Sequence, residues 1–420
     1  MARRTFVIIG AGLAGAEAAV QLRKDGFDGR VILVGDEASQ PYERPPLSKA
    51  YLRGAAERPT LDVRSASYYL DHAVELLLST RATAIEPRRR VVVLDGARRL
   101  RYDRLLLTPG AAARRLELPG SNLAGIHVLR TVEDADAIRA AASRADRAVV
   151  IGGGWIGAEV TASLRQLGLP VAMVAPGSAP LERVLGPEVG AVYRDLHAEH
   201  GVELVLGSRV GTFHGHGAVE AVETVDGRRI GGDLVVVGAG AVPQTSLAEA
   251  AGLEVGDGIH VNEHLETGTA GIFAAGDVAA AWHPVLGERI RVEHWDNARR
   301  QGRAAARGML GTSEPYARIP YFYSDQYDLG MEYAGHARSW DRVVFRGDIA
   351  TRAFIAFWLL EGRVVAAMNA NMGPVNASLA TLVASRNQVT ADRLLDPQVP
   401  LDEIVSPGSE PMVAAQHVSR

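Results

Sequence analysis

Thr5-Phe6-Val7-Ile8-Ile9-Gly10-Ala11-Gly12-Leu13-Ala14-Gly15 is the stretch on which the fold turns. Its short apolar, β-branched run reads as a buried strand, and the G-x-G-x-x-G that follows reads as a tight turn opening a helix. Helical composition over Ala16–Lys24 and a second strand at Arg30–Val34 complete a β-turn-α-β unit, the start of a parallel sheet. Each glycine has its own task in such a turn. Gly10 permits the bend, Gly12 lets a pyrophosphate approach the backbone, and Gly15 lets helix and strand pack closely. Free N–H groups and the positive dipole end of the helix attract the phosphates. Asp36 follows the second strand, where a carboxylate binds ribose hydroxyls.

The same order recurs one domain length later. Ala148–Ile151 reads as a strand, Gly152-Gly153-Gly154-Trp155-Ile156-Gly157 as a second glycine turn, Ala158–Leu167 as a helix and Val171–Val174 as a strand. An internal repeat of this kind implies two similar dinucleotide-binding units. The second unit lacks the acid: its strand ends Val174-Ala175-Pro176. Ala175 removes the charge that would repel a 2′-phosphate, yet no arginine stands beside it to attract one, so NAD and NADP both stay open.

Further short strands are expected at Val91–Leu94, Arg104–Leu107 and Leu234–Val237. From about Pro320 the character changes. Tyr321-Phe322-Tyr323 begins a run of strands, among them Arg342–Phe345 and Thr351–Leu359, and helical composition returns at Ala377–Val383. The tail from about Ser406 is expected to be mobile. The fold class that follows is α/β: two Rossmann-like dinucleotide-binding domains plus a C-terminal α+β domain. Residues 1–112 and 243–319 would form the first, discontinuous domain, residues 113–242 the second and 320–420 the third.

Composition removes several function classes. A formal net charge of −4 over 420 residues is no electrostatic footprint for nucleic acid. The sequence contains no cysteine, so it has no disulfide, no dithiol relay and no thiolate to hold an iron–sulfur cluster. That absence also fits a reducing cytoplasm. Met1-Ala2-Arg3-Arg4 before an apolar run has the look of an export signal, but Glu17 interrupts the run, and no apolar stretch is long enough to span a membrane. A soluble, cytoplasmic protein is expected.

A third motif identifies the first nucleotide. Thr267-Gly268-Thr269-Ala270-Gly271-Ile272-Phe273-Ala274-Ala275-Gly276-Asp277 resembles the second FAD fingerprint of the glutathione-reductase-like flavoproteins, whose aspartate meets the ribityl chain. Pro41-Tyr42-Glu43-Arg44-Pro45-Pro46-Leu47-Ser48-Lys49 is similar to the flavin-facing segment of the ferredoxin reductases of bacterial oxygenase systems. The resemblance continues through Arg130-Thr131-Val132-Glu133-Asp134-Ala135, Val292-Glu293-His294-Trp295-Asp296-Asn297-Ala298 and Ser324-Asp325-Gln326-Tyr327, and spans residue 6 to past 380.

It implies FAD contacts from Gly10, Gly12, Leu13, Ala14, Gly15, Asp36, Arg44, Pro45, Lys49, Ala82, Arg130, Gly276, Asp277 and Trp295. It implies contacts to NADH, with NADPH possible, from Gly152, Gly154, Trp155, Ile156, Gly157, Glu159, Gly240 and Tyr323. Lys49 falls where the family has a lysine near flavin N5, and Glu159 where a carboxylate pairs with it. A cation there favours the electron-rich reduced flavin, and the carboxylate tempers and orients that cation. The chain departs from the family at Thr108-Pro109-Gly110, where Ala-Thr-Gly is usual, at Gln244, where Asn is usual, and at Tyr323, where many members have Trp.

The implied activity is NAD(P)H:ferredoxin reduction, hydride passing to FAD and electrons onward to a [2Fe–2S] ferredoxin that serves an oxygenase. A reductase of small acceptors such as quinones, dioxygen or an ascorbyl radical satisfies the same motifs. A signalling flavoprotein would call for a basic surface and a targeting segment, and neither is visible. Arg299, Arg303 and Arg307 recur at helical spacing, with Arg300 adjacent, and form a candidate docking stripe for an acidic ferredoxin. On that reading, charge reversal of Arg303 raises the KM for ferredoxin. His294 is a candidate acid or base, although packing is the commoner role of an isolated histidine.

Overall fold

The computed structural model describes residues 3–404, so the tail expected to be mobile lies outside the described residues. Within them the chain forms two compact units. The first runs to Pro45 and includes Glu57–Ala112 and Ala241–Arg318; the second contains Pro46–Ala56, Ala113–Gly240 and the chain from Ile319 onward. Five helices matter below: α1 (Leu13–Lys24), α2 (Val132–Ala142), α3 (Trp155–Gln166), α4 (Glu182–Glu199) and α5 (Trp295–Leu310).

The first unit is built on a parallel sheet in the order Ile272–Ala274, Arg104–Leu107, Thr5–Ile9, Arg30–Val34, Val74–Leu77. Its strands are apolar on both faces because both faces are covered; Phe6, Val7, Ile8, Leu105 and Leu106 have no exposed surface. The α5 helix crosses α1 at Ala14. Only glycine fits there, since a Cβ on Gly302 would overlap the Ala14 carbonyl oxygen.

The second unit repeats the plan in the order Glu203–Leu206, Val171–Ala175, Ala148–Ile151, Leu234–Val237, Ile126–Val128, again all parallel. In both sheets the strand that enters the glycine turn is central, flanked by the strand after its helix. The connection therefore reverses direction beside the turn, where such sheets take ligands. The unit also holds a five-stranded antiparallel sheet over Tyr321–Ala370. That sheet packs Tyr333, Phe354 and Trp358 against Leu185, Val189 and Tyr193 of α4. A break at Gly186, before Pro187, leaves the Leu185 carbonyl outside the helical ladder, and Trp358 Nε1 donates to it at 3.0 Å.

Two expectations need correction. The sequence reading starts helices at Ala16 and Ala158, whereas they begin at Leu13 and Trp155, directly on the glycine turns. It also assigns residues 46–56 to the FAD domain, but this segment packs with the second unit. Ser48, Lys49 and Arg53 hold it there, through Glu159 and Ser163 on one face of α3.

Candidate functional site

Each glycine turn separates into structural and ligand-facing positions. A Cβ on Gly10 would overlap the Thr108 carbonyl oxygen, and one on Gly15 would overlap the Gly10 carbonyl oxygen. Gly152 and Gly157 stand in the same relation to Gly238 and Gly152. Gly12 and Gly154 differ: a Cβ there would meet nothing within 4 Å. Open space thus faces the backbone where a pyrophosphate must approach. Gly12 and Gly154 are also the N-caps of α1 and α3, and neither helix has a side-chain cap or an acid in its first turn. Their leading N–H groups are left for an anion. By contrast α2 is closed by a capping box, Thr131 with Asp134, and has acids in its first turn. The two turns, and not α2, fit a dinucleotide phosphate.

Around the first turn, Thr108 Oγ1 donates to the Gly10 carbonyl at 2.8 Å, so this departure from the usual residue braces the turn. Gln244 Nε2 reaches the Pro109 carbonyl at 2.9 Å and steadies the same crossing. Asp36 is half-exposed, 3.5 Å from Arg81, which directly precedes Ala82. Arg44 pairs with Glu37 at 2.5 Å and donates to the Tyr42 hydroxyl at 3.0 Å, which in turn donates to Glu37. Burial opposes its charge, but Tyr42, Glu37 and Asp277 together outweigh burial and raise the guanidinium pKa. Asp277 lies in the turn Gly276–Val278, and Gly276 N–H donates to Gln301 Oε1 at 2.9 Å. Trp295 opens α5, with the Arg299 guanidinium over its ring. His294 is the N-cap, its Nδ1 accepting from Asp296 N–H at 3.2 Å, which is a structural role. Arg130 lies in the second unit, just before the α2 cap, where its N–H donates to Asp134.

In the second unit Lys49 Nζ meets Glu159 Oε2 at 2.6 Å, with the two side chains 13% and 5% exposed. Such burial makes the pair sensitive to loss of either member. Ser48 donates to the same oxygen at 2.5 Å and Ser324 to Glu159 Oε1 at 2.8 Å; no sequence motif marks either serine as a partner of Glu159. The Lys49 ammonium lies 5.8 Å from the Tyr323 ring centroid. Trp155 at the head of α3 is edge-on to Phe322, Ile156 is exposed, and Gly240 takes a left-handed turn at φ +97°.

An arginine, Arg209, lines a cavity together with Pro176, the residue after Ala175. It comes from the segment that follows the next strand, Glu203–Leu206, so sequence proximity could not reveal it. Ser208 N–H donates to the Ala175 carbonyl at 3.3 Å, and Gly207 N–H to the Gly177 carbonyl at 2.9 Å. The cavity, of about 390 Å³, is lined by Pro176, Gly207, Ser208, Arg209 and Val225.

The arginine stripe of α5 is largely committed within its own unit. Arg303 Nε lies 2.6 Å and Arg299 Nε 3.8 Å from Glu17, a carboxylate of α1 that is 3% exposed, which Arg64 also approaches at 3.5 Å. Arg300 pairs with Asp296 and Arg307 with Asp25. Arg303 is therefore a counter-ion of a buried acid. Arg303→Glu is expected to cost about 3 kcal/mol of stability, read as a fall in Tm, while the KM for ferredoxin stays unchanged. A higher KM at unchanged Tm would restore the docking role.

Among the described residues no group of His, Asp and Glu is arranged to hold a metal ion, and no helix is long and apolar enough to cross a membrane. Residues 4–302 match the family model described as pyridine nucleotide-disulphide oxidoreductase, and residues 321–405 match the reductase C-terminal model. The chain is 38% identical to putidaredoxin reductase of Pseudomonas putida, over 96% of this chain and 97% of that one. It is also 38% identical to the ferredoxin reductase subunit of 5,5′-dehydrodivanillate O-demethylase of Sphingobium sp., over 95% and 98%. The solved covalent putidaredoxin reductase–putidaredoxin complex superposes with a TM-score of 0.92 at 38% identity, covering 96% of this chain and 99% of that one.

Proposed function

The chain belongs to the pyridine nucleotide-disulphide oxidoreductase family, and from that premise we propose that it is an FAD-dependent NAD(P)H:ferredoxin oxidoreductase. Its acceptor is a [2Fe–2S] ferredoxin that serves an oxygenase such as a cytochrome P450 or a dioxygenase. When bound, FAD takes a hydride from the nicotinamide and releases electrons singly. The observation that carries the reading is the pair of uncapped glycine turns, one in each parallel sheet, in a chain without cysteine. A family named for disulfide chemistry is represented here by a sequence that has none to offer, so electrons pass from flavin to an external acceptor.

The residues divide the work. The α1 turn, Asp36, Arg44 and Asp277 hold FAD, and the α3 turn holds the nicotinamide nucleotide. Lys49 supplies positive charge to the flavin, and Glu159 keeps that charge oriented. Within the stripe, Arg300 and Arg307 are the more exposed members, 42% and 45%, and serve as docking cations. The cysteine-free sequence suits the cytoplasm. With NADH as donor, reduction of a [2Fe–2S] ferredoxin should outpace reduction of a quinone at equal concentration. The reverse order would favour the small-acceptor reading.

Nucleotide choice follows from the strand ends. With Ala175 in place of an acid and Arg209 lining the adjacent cavity, NADPH is expected to have a kcat/KM within about tenfold of that for NADH, a difference of ~1.4 kcal/mol. Arg209→Ala should lower kcat/KM for NADPH about tenfold or more and leave NADH unaffected. An equal loss for both nucleotides would assign Arg209 a structural role only.

A further inference from the structure

Ser324-Asp325-Gln326-Tyr327 carries a chain of buried hydrogen bonds that ends on Glu159. Strand periodicity puts Ser324 and Gln326 on one face, each 1% exposed, while Asp325 points away and is exposed. Ser324 Oγ lies 2.8 Å from Glu159 Oε1 and 3.3 Å from Gln326 Nε2. Gln326 Oε1 lies 3.0 Å from His197 Nε2, and His197 Nδ1 lies 3.3 Å from the Tyr327 hydroxyl. The Tyr327 ring in turn stacks on His200 at 3.6 Å.

The direction of every bond in this chain is fixed from one end. An ionised Glu159 only accepts, so Ser324 donates to it. Ser324 then accepts from the Gln326 amide nitrogen, which turns the amide oxygen toward His197. His197 must donate from Nε2, which leaves Nδ1 to accept from Tyr327. Burial pushes the His197 pKa down to about 4, so the ring is neutral near pH 7 and carries the single proton this arrangement needs. Every dipole points at the carboxylate, and bonds arranged head to tail polarise one another. On the other carboxylate oxygen, Ser48 and Lys49 complete the set.

We propose that Ser324, oriented by Gln326 and His197, is a positioning residue of the C-terminal domain that shares the charge of Glu159 and so leaves the Lys49 ammonium able to act on the flavin. The proposal rests on the assignment of Lys49 and Glu159 made above. Without the Ser324 donor, the carboxylate is compensated chiefly from the Lys49 side. Less positive field then reaches the flavin, and its reduced form is less favoured.

The test compares FAD-loaded parent, Ser324→Ala, Ser324→Thr and Gln326→Leu proteins. For Ser324→Ala, loss of one hydrogen bond to a charged group should lower the limiting rate of anaerobic flavin reduction by NADH about tenfold, with its dependence on NADH concentration within about twofold. The midpoint potential of bound FAD should fall by about 30 mV, which is tenfold in a two-electron equilibrium. Ser324→Thr keeps the hydroxyl and should restore both values. Gln326→Leu should move both the same way by less, and it carries the comparison if Ser324→Ala sheds FAD. A role in packing alone would lower Tm and leave potential and limiting rate at parent values, which overturns the proposal. The potential is measured without NADH. A parent that binds FAD but is not reduced by NADH would overturn the reading of function, and the comparison of potentials would still decide the role of Ser324.

Discussion

Gly157→Ala is expected to slow reduction of the flavin by NADH or NADPH by at least about 100-fold, ~2.7 kcal/mol, in a protein that keeps its full complement of FAD. The added Cβ would overlap the Gly152 carbonyl oxygen and come within 2.9 Å of the Gly152 carbonyl carbon. Both belong to the backbone of the turn itself, so no flexible side chain can yield. Overpacking of this kind costs about 1–3 kcal/mol or more, and relief requires the head of α3 to move off the strand, carrying the N–H groups of the phosphate site with it. Gly15→Ala is the mirror experiment. Its Cβ would overlap the Gly10 carbonyl oxygen and lie 2.9 Å from Thr108 Oγ1, so this variant should lose FAD during purification. Flavin content per chain and the rate of anaerobic bleaching separate the two outcomes. FAD loss from Gly157→Ala would mean that the two turns are not the independent sites described.

Lys49→Met is expected to lower the limiting rate of flavin reduction about 100-fold, the usual scale for removing one preorganised electrostatic group. It should also lower stability by about 3 kcal/mol, because Glu159 would keep its burial and lose its counter-ion. The double variant Lys49→Met/Glu159→Gln distinguishes the two effects. Replacing the carboxylate by an amide removes the unpaired charge, so stability should largely recover while the rate stays low. A double variant whose rate recovers with its Tm would show that Lys49 matters only as a structural partner.

Much of this architecture is legible in the sequence because it is local. Arg30–Val34, Ala148–Ile151 and Leu234–Val237 are strands with the expected ends, since each is a continuous apolar run bounded by turn residues. The glycine turns are legible because two close backbone contacts and one position left open for a pyrophosphate recur at fixed spacing. Their helices start earlier than composition suggests, since the glycines that expose the first N–H groups also dilute the helical signal. Contacts between distant segments are what stayed hidden. Segment 46–56 looks continuous with the flavin-facing motif, and nothing local shows that Glu159 and Ser163 hold it. The arginines of α5 read as a docking stripe because Glu17, the partner of Arg299 and Arg303, sits in an alanine-rich helix, 286 residues before Arg303. Arg209 lines the cavity beside Pro176 from the segment that follows the neighbouring strand Glu203–Leu206, a helix and a strand later in sequence. Ser324 and Gln326 share a strand face, visible as alternation, but the carboxylate they serve belongs to α3.

Electrons are expected to enter through one dinucleotide site, pass to FAD in the other, and leave to a ferredoxin. The most direct measurement is anaerobic stopped-flow: bleach the flavin with one equivalent of NADH, then mix with a [2Fe–2S] ferredoxin or, separately, a quinone. Electron delivery to ferredoxin requires fast reoxidation by that protein, with two ferredoxins reduced for each NADH consumed. Reoxidation by quinone alone, with the ferredoxin left oxidised, would contradict it.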